Sequence, residues 1–197
     1  MLARAVRIEI PIERCWSNLS TFPCYAHAMD EAPNPAPVTI RPAVPDDADG
    51  ITRVYMESAE HHFRLDPERY WIPAADEIRA RYREGHQHPP DANGKAITLV
   101  AEFGGKIVGF VDVRLDHHSP DPMLRQTIYC HVAEIAVSAR QQSQGIGGQL
   151  LQAGEDWGCR QGAEFASLDY LANNTRAANF YRRMGYGTAA IKAVKRL

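Results

Sequence analysis

A glycine-rich segment between a predicted strand and a predicted helix constrains this chain more than any other feature. The segment is Gln142–Gly148 (QSQGIGG), and an amphipathic pattern follows it. Glycines let the backbone approach an anion, and the free N–H groups and dipole of a helix start favour phosphate oxygens. The segment therefore indicates a phosphate site, although glycines selected for helix packing alone would give the same pattern.

Two common phosphate motifs do not fit this segment. A P-loop requires Gly-Lys-Ser/Thr, whereas Gly148 is followed by Gln149. A dinucleotide fingerprint requires a third glycine at position 150, which is Leu150, and a turn directly after its strand. Neither nucleotide-binding class is therefore indicated.

The order of predicted elements defines the fold class. Hydrophobic periodicity predicts strands over 38–41, 97–102, 106–115, 127–137, 165–171 and 186–194, and helices over 45–60, 74–84, 145–161 and 175–184. We expect 61–73 to be an irregular, aromatic-rich connection, 127–137 to be the longest strand, and 85–94 and 116–125 to be loops. The order β-α-α-β-β-β-α-β-α-β predicts an α/β fold with a mixed, mainly antiparallel central sheet and helices on both faces.

Composition excludes several classes of protein. The net charge of −2 gives no reason to expect nucleic acid or an anionic membrane as partner. No apolar run approaches the ~20 residues of a membrane span. The cysteines are scattered, without CxxC or zinc-finger spacing, so we expect reduced thiols, a cytoplasmic protein and no metal. They are Cys15, Cys24, Cys130 and Cys159.

The first 37 residues differ from the rest, because they end in the Pro-rich stretch 30–37 (DEAPNPAP). We therefore predict an N-terminal extension and linker over 1–37 and a catalytic domain over 38–197. The extension is either a flexible tail or an arm that packs on a partner subunit.

Two segments together resemble a known family. Residues 134–137 (EIAV) followed by Gln142-x-x-Gly145-x-Gly147 resemble the strand and pyrophosphate loop of the GNAT superfamily of N-acetyltransferases, whose loop reads Gln/Arg-x-x-Gly-x-Gly/Ala. Residues 174–186 (NTRAANFYRRMGY) are similar to the C-terminal signature of that family. The resemblance covers about residues 127–187 and implies the acyl-CoA N-acyltransferase fold, with acetyl-CoA as co-substrate.

The resemblance also implies which residues contact the coenzyme. The backbone of Ile135, Ala136 and Val137 would pair with the pantetheine arm like an added strand. The pyrophosphate would be held by the N–H groups of Gln142, Ser143, Gln144, Gly145, Ile146, Gly147 and Gly148. Asn174 and Asn179 would reach the pantetheine or adenosine side, although Asn174 can equally cap the helix that follows.

Thioester aminolysis needs a base, a group that polarises the carbonyl, and a proton for the leaving thiolate. The resemblance places Tyr181 near the sulfur as proton donor, although its helical stripe would also suit a core aromatic. A backbone N–H at Ala136 or Val137 is suited to polarise the carbonyl. Glu134 is the predicted base, with His131 or a water as alternatives. In a regular strand, residues three apart lie on opposite faces, so at most one of the two points at the substrate unless a bulge intervenes.

The predicted function is acetyl transfer from acetyl-CoA to a primary amine of a small molecule or peptide, by direct attack without a cysteine nucleophile. The acceptor pocket would be lined by His61, His62, Tyr70 and Trp71, or Tyr70 and Trp71 bury against the second helix instead. A non-catalytic acyl-CoA-binding module and a transferase for a longer acyl group are the alternatives. The resemblance also allows a homodimer, although no sequence feature marks an interface.

Overall fold

The computed structural model describes residues 38–84, 95–117, 123 and 125–196. They belong to one compact unit, Ala36–Leu197. The predicted extension over 1–37, the predicted loop over 85–94 and most of the predicted loop over 116–125 lie outside the described residues.

The centre of the fold is a five-stranded sheet in the order β1-β2-β3-β4-β5. Its strands are β1 Thr39–Pro42, β2 Ala96–Phe103, β3 Lys106–His117, β4 Ile128–Val137 and β5 Phe165–Leu168. The first four strands pair antiparallel, whereas β4 and β5 pair parallel. The tight β2–β3 turn has Gly104 and Gly105 at φ 56° and 74°, a conformation that glycine adopts without steric cost.

Four helices cover the two faces of this sheet. They are α1 Ala48–Leu65, α2 Ala75–Arg83, α3 Ile146–Arg160 and α4 Thr175–Arg183. Short 3-10 turns at Pro45–Asp47 and Ala139–Gln141 precede α1 and the glycine-rich segment. The helices α1 and α2 pack on Phe110 and Ala136 on one face, whereas α3 and Tyr181 of α4 pack on Val111 and Val132 on the other. The predicted mixed sheet with helices on both faces is confirmed.

The structure corrects three predicted elements. Helix α1 continues to Leu65, so residues 61–65 are helical rather than irregular. The longest strand is β3, with 12 residues against 10 in β4. The predicted strand over 186–194 is absent from the described residues: Ile191 and Val194 are 89% and 68% exposed. A segment with apolar residues becomes a strand only where a neighbouring strand pairs with it.

Candidate active site

Strand β4 pairs with β5 along only the first half of its length. The parallel ladder pairs Tyr129–Val132 of β4 with Phe165–Leu168 of β5. Beyond Val132, β4 continues to Val137 along β3 alone, because β5 ends at Leu168. Among the described residues, the segment 133–137 therefore has one edge without a strand partner.

The alternation of the backbone decides which groups point to this open edge. The N–H of Ser138 donates to Val108 O on β3 at 2.8 Å. The carbonyl of the same peptide, that of Val137, therefore points away from β3, and Gln142 Nε2 donates to it at 2.9 Å. By strand alternation, the N–H groups of Val137 and Ile135 also face the open edge, whereas the N–H of Ala136 faces β3.

The glycine-rich segment follows directly and starts α3. Ser143 and Gly145 have φ values of 65° and 81°, which turn the chain into the helix. The N–H of Gln149 donates to Gly145 O at 3.1 Å and closes the first helical turn. Three N–H groups come before Gln149 in the helix and have no partner within it, namely those of Ile146, Gly147 and Gly148. This start of the helix is therefore suited to bind an anion.

Two side chains fix the loop to its surroundings. Gln142 bonds Val137 O, as above, and Glu57 of α1 accepts bonds from the N–H of Ala139 at 2.7 Å and the hydroxyl of Ser138 at 3.3 Å. Ser143, Gln144 and Gly145 lie between these anchors and α3. The side chain of Gln142 thus holds the loop against the strand, and the backbone is left for a ligand.

On α4 the two predicted asparagines make local bonds. Asn174 is the N-cap, and its Oδ1 accepts from the N–H of Ala177 at 3.0 Å. Asn179 is exposed and bonds the guanidinium of Arg182. The capping role of Asn174 is therefore present in the structure.

Tyr181 projects from α4 into the core on the α3 face of the sheet. Its ring is 8% exposed and contacts Phe180, Tyr170 and Tyr186, with centroids 5.1, 5.6 and 5.9 Å away. Burial, together with the charge of Glu134, raises the pKa of the Tyr181 hydroxyl to about 12. The hydroxyl therefore stays protonated at neutral pH and is available as a donor.

A β-bulge sets the direction of Glu134. Val113 of β3 is opposite Val132 and Asp112 is opposite Glu134, so Ala133 is an extra residue on β4. His131 is opposite Arg114, which shares its face with Asp112. The bulge therefore brings His131 and Glu134 to the same face, the one covered by α1 and α2.

Glu134 is a half-buried acid with one direct donor among the described residues. The hydroxyl of Ser58 on α1 donates to Glu134 Oε1 at 3.1 Å. Burial raises the pKa of Glu134 to about 7; the Ser58 bond opposes this shift, the charge of Asp112 adds to it, and Arg81 opposes it. A carboxyl with this pKa exchanges protons near neutrality, as a general base requires.

Asp112 is a second buried acid that the sequence analysis missed. It is 1% exposed and accepts bonds from Tyr82 Oη at 2.7 Å and Thr98 Oγ1 at 2.6 Å. Burial raises its pKa to about 6. An aspartate inside the apolar run of 107–115 (IVGFVDVRL) is itself unusual, because Asp is depleted in strands.

The other candidate base, His131, has different surroundings. Its Nδ1 lies 3.1 Å from Ser167 Oγ on β5. Burial lowers the pKa of His131, and nearby Arg114 lowers it further. Both Glu134 and His131 are thus titratable groups near the point where the pairing of β4 with β5 ends.

The predicted aromatic cluster forms only in part. The ring of His62 lies 6.0 Å from that of His61 and 5.3 Å from that of Tyr70, and burial lowers the pKa of His61. Trp71 is 78% exposed and is not buried against α2. The cluster is therefore anchored on the end of α1, with its tryptophan facing solvent.

Cys130 lies on the opposite face of β4 from Glu134. Its Sγ donates to Gly154 O of α3 at 3.5 Å, and a Cβ at Gly158 would come within 2.5 Å of this sulfur. Burial raises the pKa of the Cys130 thiol to about 11. Such a thiol is a poor nucleophile at neutral pH.

Within the part of the chain that the structure describes, no helix has the length and apolar character of a membrane span. In the same residues, no group of three or more His, Cys, Asp or Glu side chains is placed to hold a metal ion.

Comparisons with known proteins agree with this geometry. A mycothiol acetyltransferase of Pseudarthrobacter chlorophenolicus is 29% identical over 179 residues, 89% of this chain and 50% of that enzyme, so the chain spans half the length of this relative. A mutant of the BH1408 protein from Bacillus halodurans superposes with a TM-score of 0.72 at 20% identity, covering 81% of this chain and 99% of that one. The aminoglycoside N-acetyltransferase AAC(6')-Iy in complex with CoA gives 0.63 at 17% identity, covering 85% and 99%.

The two solved structures show the fold alone, whereas the family comparison reaches further. The acetyltransferase (GNAT) family matches residues 56–186, more than half of the sequence. The match includes the bulged strand, the glycine-rich helix start and the helix that carries Tyr181. The chain therefore belongs to the GNAT acetyltransferase family.

Proposed function

We propose that this protein is an N-acetyltransferase that moves an acetyl group from acetyl-CoA to a primary amine of a small molecule or peptide. One observation carries the proposal: Glu134, with a pKa of about 7, lies within the unpaired stretch of β4 that leads into the anion-binding helix start.

The described residues fit the coenzyme. The open edge of 133–137 offers backbone groups to an extended pantetheine chain. The N–H groups from Gln142 to Gly148 offer donors to a pyrophosphate. Of these, Ile146, Gly147 and Gly148 are the ones at the helix start. We further propose that Asn174 and Asn179 contact the pantetheine or adenosine side; their present bonds are local.

The proposed chemistry divides among three groups of this chain. Acetyl-CoA would supply an acetyl group activated as a thioester. Glu134 removes the proton from the acceptor amine, directly or through a water. The N–H of Val137 polarises the carbonyl, since the N–H of Ala136 is turned to β3, and the Tyr181 hydroxyl donates a proton to the departing sulfur.

Direct attack is favoured over a covalent enzyme intermediate. The thiol of Cys130 lies against α3, on the face away from Glu134, and its pKa is raised to about 11. A buried thiol of this kind does not supply the thiolate that a covalent route would need.

The acceptor would approach from the face of α1 and α2, where Glu134 points. His61, His62 and Tyr70 lie at the end of α1, and Trp71 follows with its ring exposed. The names of the mycothiol and aminoglycoside acetyltransferases support an amine acceptor. The choice between a small molecule and a peptide is left to experiment.

The test is a panel of amines that includes aminoglycosides, polyamines, amino acids and peptides, with detection of free CoA. We expect turnover with at least one amine and its loss in Glu134→Gln. Acetyl-CoA binding in calorimetry without CoA release from any acceptor would favour the non-catalytic module. Faster turnover of propionyl- or succinyl-CoA would favour the longer-acyl alternative.

Several further properties stay predictions. They are the catalytic domain over 38–197 with an extension over 1–37, a homodimer, a cytoplasmic location, and the absence of metal and nucleic-acid partners. Gel filtration with light scattering would measure the oligomeric state directly.

A further inference from the structure

We propose that Ser58 and His62, one helical turn apart on α1, are positioning residues that hold the carboxylate of Glu134 in place for proton transfer. This inference rests on the proposed function, because it assigns a task to α1 within the same site. It adds two residues that the family resemblance and the sequence motifs do not mark.

The first contact joins α1 to the bulged strand. The Ser58 hydroxyl donates to Glu134 Oε1 at 3.1 Å, between residues 76 positions apart in the sequence. A hydrogen bond to a carboxylate favours its charged form. The bond also fixes one oxygen of Glu134, which leaves Oε2 for the acceptor side.

The second contact holds the serine itself. His62 Nδ1 lies 3.0 Å from the carbonyl oxygen of Ser58 and 3.4 Å from its Oγ. An Nδ1 that carries the proton satisfies both contacts, because both neighbouring atoms accept hydrogen bonds. The Ser58 hydroxyl then has His62 as a donor and directs its own hydrogen to Glu134. The ring of Tyr70, 5.3 Å away, packs against His62 and limits its motion.

Other groups also act on Glu134, so the contribution of Ser58 must be isolated by experiment. Asp112 is opposite Glu134 on β3, and Arg81 on α2 acts with opposite sign. The charge of Glu134 raises the pKa of three tyrosine hydroxyls, which are those of Tyr55 on α1, Tyr82 on α2 and Tyr181 on α4. His131 shares the face of Glu134 on β4, but its bond is to Ser167.

Removal of the Ser58 hydroxyl should shift the pKa of Glu134 in a defined direction. The bond stabilises the carboxylate, so its loss raises the pKa of Glu134 and moves the ionisation to higher pH. A bond of this type gives a shift on the order of one pH unit, which is about ten-fold in the ionised fraction at low pH.

The primary test needs no substrate. The whole protein is labelled with ¹³C at glutamate carboxyls, and Glu134, assigned by its absence in Glu134→Gln, is titrated by NMR. In Ser58→Ala the midpoint should move up by about one unit, and in His62→Phe it should move in the same direction by less. Ser167→Ala, which removes the partner of His131 instead, is the matched control and should leave the Glu134 midpoint unchanged.

A midpoint in Ser58→Ala equal to that of wild type would overturn the proposal, as would an equal displacement in Ser167→Ala. Ser58→Thr keeps the hydroxyl and should restore the wild-type midpoint if the bond, rather than the packing of α1, is responsible. A variant with Thr that titrates like Ser58→Ala contradicts the assignment.

A second test uses turnover with the acceptor found in the amine panel. The acidic limb of kcat/KM should move to higher pH in Ser58→Ala, with KM for acetyl-CoA unchanged. If no amine is turned over, the proposed function fails while the NMR titration still decides the positioning role. A different result is an active wild type with an acidic limb of kcat/KM that is lost in Glu134→Gln but unchanged in Ser58→Ala. That result would contradict the positioning role and leave the proposed function intact.

Discussion

Asp112 of β3 and Glu134 of β4 are direct partners in the antiparallel ladder, and both carboxyls face α1 and α2. Asp112 is buried and Glu134 is half-buried, and their pKa values are raised to about 6 and about 7. Hydroxyls satisfy the two acids: Tyr82 and Thr98 bond Asp112, and Ser58 bonds Glu134. A pair of neighbouring acids in a low-dielectric site releases its protons near neutrality rather than near pH 4.

The first prediction concerns the pH dependence of turnover. Below pH 7 Glu134 is mostly protonated and does not accept the proton of the amine. We therefore expect kcat/KM to rise with an apparent pKa near 7. In Glu134→Gln this limb should vanish and kcat should fall by about 10²–10⁴-fold, the usual contribution of a general base. Initial rates from pH 5.5 to 9 measure it, and a limb retained in Glu134→Gln would point to His131 or another group.

The second prediction concerns stability against pH. The folded protein binds the protons of Asp112 and Glu134 more tightly than the unfolded chain, where the ordinary pKa values are 3.8 and 4.5. This contribution to stability is complete below these values and is lost as pH rises to about 7. The free energy of unfolding in urea should therefore carry a falling component between about pH 4.5 and 7.

Glu134→Gln is the control for this component, because glutamine does not ionise. The difference in unfolding free energy between wild type and this variant should change with pH in the same window. A difference that stays constant from pH 4.5 to 8 would show that Glu134 has an ordinary pKa in the folded protein.

The third prediction concerns Tyr181. Tyr181→Phe removes the hydroxyl but keeps the ring contacts with Phe180 and Tyr186, so the fold should be retained. Turnover should fall by about 10²-fold or more, the scale of a lost general acid, while the Kd for acetyl-CoA changes little. Tyr170→Phe is the matched control, since its ring contacts Tyr181 from the half-exposed side. Equal turnover in the two variants would remove Tyr181 from the mechanism.

The fourth prediction compares two glycines of the helix start. Gly145 has a φ of 81°, which an L-residue adopts at a cost of about 1–2 kcal/mol, although a Cβ there would meet no atom within 4 Å. Gly147 lies inside α3, and its Cβ would make ordinary contact with Phe180 at 3.6 Å.

Gly145→Ala should therefore weaken acetyl-CoA binding by about ten-fold through a distorted loop, and Gly147→Ala should change it by much less. Calorimetric Kd values for the two variants give the comparison. A larger loss for Gly147→Ala would show that space, rather than backbone conformation, governs this turn.

The sequence predicted those features that depend on local patterns. The helix start at Gly145 and the capping of α4 by Asn174 both follow from backbone rules that act over a few residues. Element boundaries mostly agree within a few residues. The fold class was predictable because element order restricts how layers pack.

Features that depend on distant partners could not be predicted in this way. Whether His131 and Glu134 share a face depends on the bulge at Ala133, which arises from the register with β3. The contact between Ser58 and Glu134 links distant parts of the chain. The predicted C-terminal strand over 186–194 is wrong for the same reason, because the residues of this segment do not by themselves supply a pairing partner.

The extra residue at Ala133 allows His131 and Glu134, which are three positions apart, to face the same side of the sheet. If Ala133 were paired as a regular residue while His131 kept its face, Glu134 would turn toward the apolar layer beneath α3, and the backbone groups at Ile135 and Val137 would swap edges with those of Ala136. Excision of this single alanine would instead leave Val132 opposite Val113 and Glu134 opposite Asp112 in a regular ladder, with both orientations kept. The bulge thus lets a strand one residue longer than its partner present an acid on one side of the sheet and main-chain donors along its border.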